Sequence, residues 1–270
     1  MSDIAPIIGV DQIPEGAVIC DTRWYLDGRD GHAAYLAGHI PGAIFVDLDN
    51  HLASHGSAAE GRHPLPSADV FAASMGSLGI GHETVVVVYD DSETVCASRL
   101  VWMLRALGSP AALLDGGLDV WPTDLESTIN TLDPVPHETR PWPSAIIADA
   151  DETARLASSD EGVVLDARAP ERYRGESEPV DPRAGHIPGA LNAPFGDDRV
   201  DGRYLDAAEL RERYAGLGVT DGTAVIVYCG SGVSACNNLL ALERAGIGAR
   251  LYPGSWSQWS SDPNRPASTA

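Results

Sequence analysis

The chain has 270 residues, of which 44% are hydrophobic; 39 acidic residues against 18 basic ones give a formal net charge of −21 at pH 7. This charge disfavours nucleic acids and anionic membranes as partners, and no apolar run approaches the roughly 20 residues that a membrane helix needs. All 18 basic residues are arginine, so the chain lacks the lysine that Schiff-base enzymes and nucleotide-binding P-loops require.

The N-terminus and the cysteines indicate the compartment. The first residues, Met-Ser-Asp-Ile-Ala-Pro, lack the basic region and the apolar core of a signal peptide. The four cysteines form neither a disulfide framework nor pairs with the spacing of metal ligands; they are Cys20, Cys96, Cys229 and Cys236. We therefore expect a cytoplasmic location, no metal and no other cofactor.

The first half of the chain alternates short β-branched runs with helix-like stretches. A run at 18–20 ends in Asp-Thr-Arg at 21–23 and is followed by Gly-His-Ile-Pro-Gly at 38–42. A second run at 85–89 precedes a predicted helix over 97–107. This alternation is typical of a parallel sheet with helices on both faces, in which sites form beyond the carboxyl ends of the strands.

The second half repeats this pattern after a proline-rich segment at 133–144, which predicts a linker. Its first run ends in Asp-Ala-Arg at 166–168, Gly-His-Ile-Pro-Gly recurs at 185–189, and an apolar run at 225–228 precedes a second predicted helix. We therefore predict two tandem α/β domains, covering residues 1–132 and 145–270.

The last apolar run ends on Cys229, which a glycine-rich turn over 230–234 connects to the next helix. Backbone N–H groups of such a turn and the positive end of the helix favour thiolate over thiol, and the thiolate is the nucleophile. The equivalent residue of the first half is Asp90, whose loop lacks these glycines. The pattern predicts a catalytic second domain and an inactive first domain.

Taken together, the repeated Asp-x-Arg and Gly-His-Ile-Pro-Gly motifs, the Gly-Gly-x-x-x-Trp segment at 116–121 and the cysteine loop resemble tandem-domain rhodanese-like sulfurtransferases. The resemblance spans nearly the whole chain and implies two rhodanese-like domains, each a parallel sheet with helices on both faces. The loop, Cys-Gly-Ser-Gly-Val-Ser at 229–234, is similar to that of 3-mercaptopyruvate sulfurtransferases, with serine in place of the final threonine. It lacks the two cations with which thiosulfate enzymes hold their doubly charged donor.

The resemblance implies a reaction and its partners. A persulfide on Cys229 would carry a sulfane sulfur from 3-mercaptopyruvate to cyanide or to a thiol, either a small thiol or a thioredoxin-like protein. The first arginine of the Glu-Arg-Tyr-Arg-Gly segment, Arg172, would bind the donor carboxylate. The position of a usual second arginine falls on Val180, and Arg174 or Arg183 could replace it.

The resemblance also implies a proton relay, Ser231–His39–Asp30, although a shared structural turn is the favoured explanation for a histidine that is present in both halves. The expected site residues fall into two groups. The catalytic residues are Cys229, Ser231, His39 and Asp30. The substrate-binding residues are Arg172, Arg174, Arg183, Gly230, Gly232, Val233 and Ser234.

Other functions remain open at this point. The donor could be thiosulfate with cyanide as the acceptor, and a rhodanese-like chain could also be a non-enzymatic regulatory module. A dual-specificity phosphatase is disfavoured because Ala235 occupies the position of its phosphate-binding arginine. Cys236 could resolve an oxidised Cys229 or simply pack in its helix, and metal binding by a histidine-containing loop has little support; its histidines are His51, His55 and His63.

Overall fold

The computed structural model describes residues 4–269, and within them the chain divides into two compact units. The first unit comprises the residues up to Ser54 together with Leu65–Pro143. The second comprises His55–Pro64 together with the residues from Ser144 onwards. The division after residue 143 falls within the predicted linker segment, whereas the assignment of 55–64 to the second unit has no counterpart in the predicted domains.

The described part of the first unit is an α/β fold built on a parallel sheet. Its strands are β1 (Ile7–Ile8), β2 (Val18–Asp21), β3 (Ile44–Phe45), β4 (Val86–Tyr89) and β5 (Ala111–Leu114), and its α-helices are α1 (Gly31–Ala37), α2 (Ala68–Ser77) and α3 (Val95–Ala106). The strand order is β1-β5-β4-β2-β3. The central strand β4 is buried throughout, which explains its uninterrupted valine run.

In the second unit, the described residues repeat this architecture. The strands are β6 (Gly162–Asp166), β7 (Leu191–Asn192), β8 (Arg199–Val200), β9 (Arg203–Tyr204), β10 (Ala224–Tyr228) and β11 (Arg250–Leu251), and the α-helices are α4 (Ala150–Ala157), α5 (Pro170–Tyr173), α6 (Ala207–Gly216), α7 (Ala235–Arg244) and α8 (Ser255–Ser261). The parallel sheet has the order β11-β10-β6-β7, and β8 and β9 form a hairpin. A parallel bridge from Ile147 to Leu251 extends the sheet beyond β11. The strand order therefore matches that of the first unit.

The repeated Asp-x-Arg motif joins the end of a strand to the Gly-His-Ile-Pro-Gly turn. Arg168 donates from Nε and Nη2 to the carboxylate of Asp166, and Nη2 also donates to the carbonyl oxygen of Gly185 at 2.7 Å. Asp21 and Arg23 make the same buried ion pair in the first unit. A buried arginine and carboxylate paired in this bidentate way stabilise the turn in both units.

Candidate active site

Cys229 directly follows β10, at the carboxyl end of the sheet of the second unit. Its backbone N–H donates to Ser255 Oγ at 3.1 Å, and its carbonyl oxygen accepts from the backbone N–H of Trp256 at 2.9 Å. These bonds connect the strand end to the start of α8. The Cys229 side chain is buried, and its Sγ accepts a hydrogen bond from the backbone N–H of Gly232 at 3.2 Å.

Gly232 has a conformation that requires glycine. Its φ is +77°, and a Cβ atom at this position would lie 2.4 Å from the carbonyl oxygen of Pro253. The turn thereby directs one N–H at the sulfur. Among the described residues, the backbone N–H groups of the other four turn residues, Gly230, Ser231, Val233 and Ser234, have no hydrogen-bond acceptor. The turn therefore has spare donors for an anionic sulfur.

Ser231 is hydrogen-bonded to a histidine. The distance from Ser231 Oγ to His63 Nδ1 is 2.8 Å, and both side chains are buried. His63 belongs to the loop 55–64, which is part of the second unit. A hydroxyl and an imidazole can each donate and accept a hydrogen bond. A proton can therefore pass between His63 and Ser231, which lies two residues along the chain from Cys229.

The predicted relay paired Ser231 with His39, whereas the histidine within hydrogen-bonding distance of Ser231 is His63. His39 instead lies against Tyr35 in the first unit: the ring centroids are 3.8 Å apart, and His39 Nδ1 is 2.7 Å from the Tyr35 carbonyl oxygen. His39 Nε2 is 3.2 Å from Nδ2 of Asn130. His186 stacks on Tyr173 and bonds to its carbonyl oxygen in the same way. The histidine of the repeated motif thus has the same structural role in both units.

Asp30 also has a local role, so the third member of the predicted relay is not supported. It is the N-cap of α1, where its Oδ1 accepts from the backbone N–H groups of His32 at 2.9 Å and Ala33 at 3.1 Å. A carboxylate in this position stabilises the first turn of a helix.

Arg172, the predicted carboxylate-binding residue, lies beside the cysteine loop. It is the third residue of the short helix α5, and its Nη2 donates to Glu178 Oε1 at 2.6 Å and to Asp181 Oδ2 at 3.2 Å. A Cβ atom added to Gly230 would be 3.5 Å from Arg172 Nη1. The guanidinium is thus held by two acids next to the residue that follows the nucleophile.

The two other predicted arginines occupy different environments. Arg183 donates to four backbone carbonyl oxygens around the end of α8, and its role is therefore structural. The four oxygens belong to Trp259, Ser260, Asp262 and Arg265. Arg174 is exposed and forms an ion pair with Glu176. Within residues 4–269, neither guanidinium bonds to the cysteine loop, so neither takes the place of the arginine expected at Val180.

A residue that the sequence did not suggest, Arg62, lies beside the loop instead. A Cβ atom on Gly230 would be 3.3 Å from Arg62 Nη2. The feature of the sequence that could have indicated Arg62 is the Gly-Arg-His-Pro run at 61–64, in which a cation and an imidazole are adjacent after a glycine. The sequence suggests His63 only as a metal ligand, and within residues 4–269 no group of three or more His, Cys, Asp or Glu side chains is arranged to hold a metal.

The equivalent strand end of the first unit carries Asp90. Its two carboxylate oxygens accept four backbone hydrogen bonds of 2.8–3.0 Å; the donors are Ser92, Thr94, Cys96 and Ala97. Its carbonyl oxygen accepts from the backbone N–H of Leu118, as that of Cys229 accepts from Trp256. The backbone framework is therefore shared, while the side chain that would react is replaced by a carboxylate.

Known proteins resemble this chain over most of its length. The model of the rhodanese-like domain matches residues 11–124 and 149–262. A putative thiosulfate sulfurtransferase, SseB, from Mycobacterium tuberculosis is 43% identical over 97% of this chain and 94% of its own length. A probable 3-mercaptopyruvate sulfurtransferase from Pseudomonas aeruginosa is 41% identical over 93% of this chain and 92% of its own length.

The fold agrees with these matches. The crystal structure of SseA from Escherichia coli, described as a 3-mercaptopyruvate sulfotransferase, superposes with a TM-score of 0.82 at 31% identity, covering 94% of this chain and 99% of that one. None of the helices in residues 4–269 is long and apolar enough to span a membrane. The chain belongs to the rhodanese family of sulfurtransferases, with two tandem rhodanese-like domains.

Proposed function

We propose that the protein transfers a sulfane sulfur from 3-mercaptopyruvate to a thiol or to cyanide through a persulfide on Cys229. The observation that carries this proposal is the turn after β10, where a backbone N–H bonds to Cys229 Sγ and no cationic side chain is present between 230 and 234. Such a turn stabilises a sulfur anion without contributing a charge of its own. We place the reaction in the cytoplasm, where thiol acceptors stay reduced.

In the first half-reaction, the Cys229 thiolate attacks the sulfur of the donor. An S–S bond forms as the C–S bond breaks, and the electron pair of the C–S bond passes to the methylene carbon of the donor. The proton of the donor thiol is transferred to that carbon, so that pyruvate leaves and the enzyme keeps a persulfide anion. An acceptor thiolate or cyanide then attacks the outer sulfur and releases the Cys229 thiolate.

Ser231 and His63 are suited to the proton transfer in this step. Their side chains are buried and 2.8 Å apart, so the proton can pass between oxygen and nitrogen without bulk water. The hydroxyl is two residues from Cys229, in the same turn, so we assign it to the protonation of the methylene carbon of the donor. This pair replaces the relay expected with His39 and Asp30.

The charges around the loop favour a donor with a single negative charge. Three arginines and three acids form one ion-pair cluster in this part of the second unit; they are Arg62, Arg168, Arg172, Asp166, Glu178 and Asp181. The formal charges of the cluster cancel. A dianion such as thiosulfate would therefore meet little net positive charge, whereas one carboxylate needs only one or two guanidiniums.

Steady-state kinetics test the donor. We expect kcat/KM for 3-mercaptopyruvate to exceed kcat/KM for thiosulfate, with cyanide as the acceptor in both assays. Cys229→Ser should lower kcat by a factor on the order of 10⁴ or more, because the nucleophile is lost. Mass spectrometry after exposure to the donor should find one added sulfur on Cys229 in the wild-type chain and none in the variant.

Two results would change the assignment. A higher kcat/KM for thiosulfate would replace the donor and keep the persulfide mechanism; this alternative is supported by the name of the M. tuberculosis relative. The absence of any persulfide with either donor would support a regulatory module that binds without transferring sulfur.

A further inference from the structure

Two guanidinium groups lie against Gly230, the residue that follows the nucleophile. A Cβ atom at Gly230 would be 3.3 Å from Nη2 of Arg62 and 3.5 Å from Nη1 of Arg172. Both atoms therefore face the same small space, which is open because residue 230 has no side chain. Arg172 comes from α5, whereas Arg62 comes from the loop 55–64.

A single carboxylate orients both groups. Asp181 is almost fully buried, with 3% of its side chain exposed; its Oδ1 accepts from Arg62 Nη1 at 2.7 Å and its Oδ2 accepts from Arg172 Nη2 at 3.2 Å. One Nη of each arginine is thus held by Asp181. The other Nη of each is the one nearer to Gly230, although Arg172 Nη2 would also be 3.7 Å from a Cβ atom there.

The facing donors have no acceptor. Within residues 4–269, neither Arg62 Nη2 nor Arg172 Nη1 makes a hydrogen bond, and the Nε atoms of both arginines are buried without a partner. Unlike the Nε atoms, the two Nη atoms are not buried, so a ligand that enters from solvent can reach them. The two arginines are therefore arranged for an anion that the chain itself does not supply.

The backbone around Arg62 is rigidly attached to α8. Its own N–H donates to Ser257 Oγ at 3.0 Å, and Nε2 of Gln258 donates to the carbonyl oxygen of Ala59 at 2.7 Å. Gly61 has a φ of +92°, and a Cβ atom there would be 2.7 Å from the carbonyl oxygen of Gly254. A guanidinium on a loop held this closely is positioned before a ligand arrives, which lowers the entropic cost of binding.

We propose that Arg62 is a specificity-determining residue that binds the carboxylate of a short 2-oxo acid donor jointly with Arg172. This assignment rests on the proposed function for the identity of the donor. Because Gly230 is adjacent to Cys229, an acid held between the two Nη atoms must be short to present its sulfur to the nucleophile. Arg62 thus supplies the second guanidinium that Val180, Arg174 and Arg183 do not.

Alkylation of Cys229 tests the proposal without sulfur transfer. Iodoacetate carries a carboxylate and iodoacetamide is its neutral counterpart, so the ratio of their rates at Cys229 reports a carboxylate site beside the sulfur. In Arg62→Gln we expect the iodoacetate rate to fall about tenfold and the iodoacetamide rate to stay within about twofold of the wild type. Arg62→Lys, which keeps the charge but not the fork, should give an intermediate ratio.

The matched control is Arg211→Gln, which removes the same charge from an arginine paired with Asp221 on the surface of the second unit. Its ratio should equal that of the wild type. In turnover, Arg62→Gln should raise KM for 3-mercaptopyruvate about tenfold and leave kcat nearly unchanged.

The outcomes separate the proposals. An unchanged ratio in Arg62→Gln overturns the role of Arg62, and so does an equal fall in both alkylation rates, which would mean that Arg62 only supports the loop. If the wild-type chain does not turn over 3-mercaptopyruvate but the ratio still falls in Arg62→Gln, the proposed donor is wrong and the carboxylate site stands.

Discussion

The turns that follow β4 and β10 have similar backbones, but they differ in the side chain that accepts hydrogen bonds from their backbone N–H groups. In the first unit, the carboxylate of Asp90 accepts four backbone hydrogen bonds. In the second unit, Cys229 Sγ accepts one from Gly232, and the other four N–H groups of the turn have no acceptor in the described residues. The first turn has filled its anion site with its own side chain. The second leaves N–H donors free, as the proposed persulfide on Cys229 requires.

The glycine content of the two turns follows from this difference. Glu93 and Thr94 of the first unit have φ values of 58° and 59°, a region that costs a non-glycine residue about 1 kcal/mol each. The second unit uses Gly232 at the corresponding bend, with a φ of 77°. A turn stabilised by its own carboxylate tolerates this strain, whereas the reactive turn avoids it.

Thiol reactivity should show the largest contrast between the units. Burial is the main cause that raises the pKa of the Cys20 and Cys96 thiols, with a further contribution from neighbouring acids. Both thiols should therefore stay protonated, and raising the pH from about 7 to about 9 should not make them react. Iodoacetamide labelling read by peptide mass spectrometry should modify Cys229 on the order of 10³ times faster than either. Comparable alkylation rates at the three cysteines would contradict the idea that the turn after β10 activates Cys229.

The second contrast is between His63, which contacts Ser231, and His39, which was expected to do so. His63→Gln should lower kcat with 3-mercaptopyruvate about 100-fold, because the proton-transferring imidazole is lost. His39→Gln should lower thermal stability through the lost contact with Tyr35 while the folded enzyme keeps its kcat. Stopped-flow assays and thermal melts of both variants check this. An equal loss of kcat in the two variants would be incompatible with a purely structural His39.

The smallest effect concerns the first unit alone. Asp90→Ala removes the acceptor of four buried N–H groups and should lower the local unfolding free energy of α3 by about 3 kcal/mol. Hydrogen exchange of the α3 amides measures this free energy. Asp27→Ala, at an exposed ion pair with Arg29, serves as the control and should change it by less than about 0.5 kcal/mol. A shift of similar size in both variants would mean that the carboxylate of Asp90 does not hold the turn together.

The internal repeat made much of the fold predictable. A strand that ends at Asp21 or Asp166 and a following Gly-His-Ile-Pro-Gly turn have the same local contacts in both units, so sequence periodicity was enough to predict the parallel sheets. The position of Cys229 at the end of a strand was predictable for the same reason, because one half carries a cysteine where the other carries an aspartate.

The partners of Cys229 were not predictable in this way, because they depend on contacts between residues far apart in the chain. Ser231 and His63 are separated by 168 positions, and Arg62 and Asp181 by 119. The repeated motif offered His39 as a candidate, yet stacking on a tyrosine accounts for that ring. Arg183 similarly satisfies carbonyl oxygens at the end of a helix, a role that leaves no periodic pattern in a sequence.

The loop 55–64 also bears on how a duplicated gene of this kind can change. Arg62 and His63 are encoded in the first half of the gene, although their contacts are with Ser257 and Ser231 of the second. A fragment that begins at Ser144 would keep the nucleophile and lose both of these side chains. The first half has Asp90 in place of a nucleophile, yet its deletion would remove two side chains that the proposed reaction of Cys229 uses. We therefore expect the isolated second half to transfer sulfur poorly.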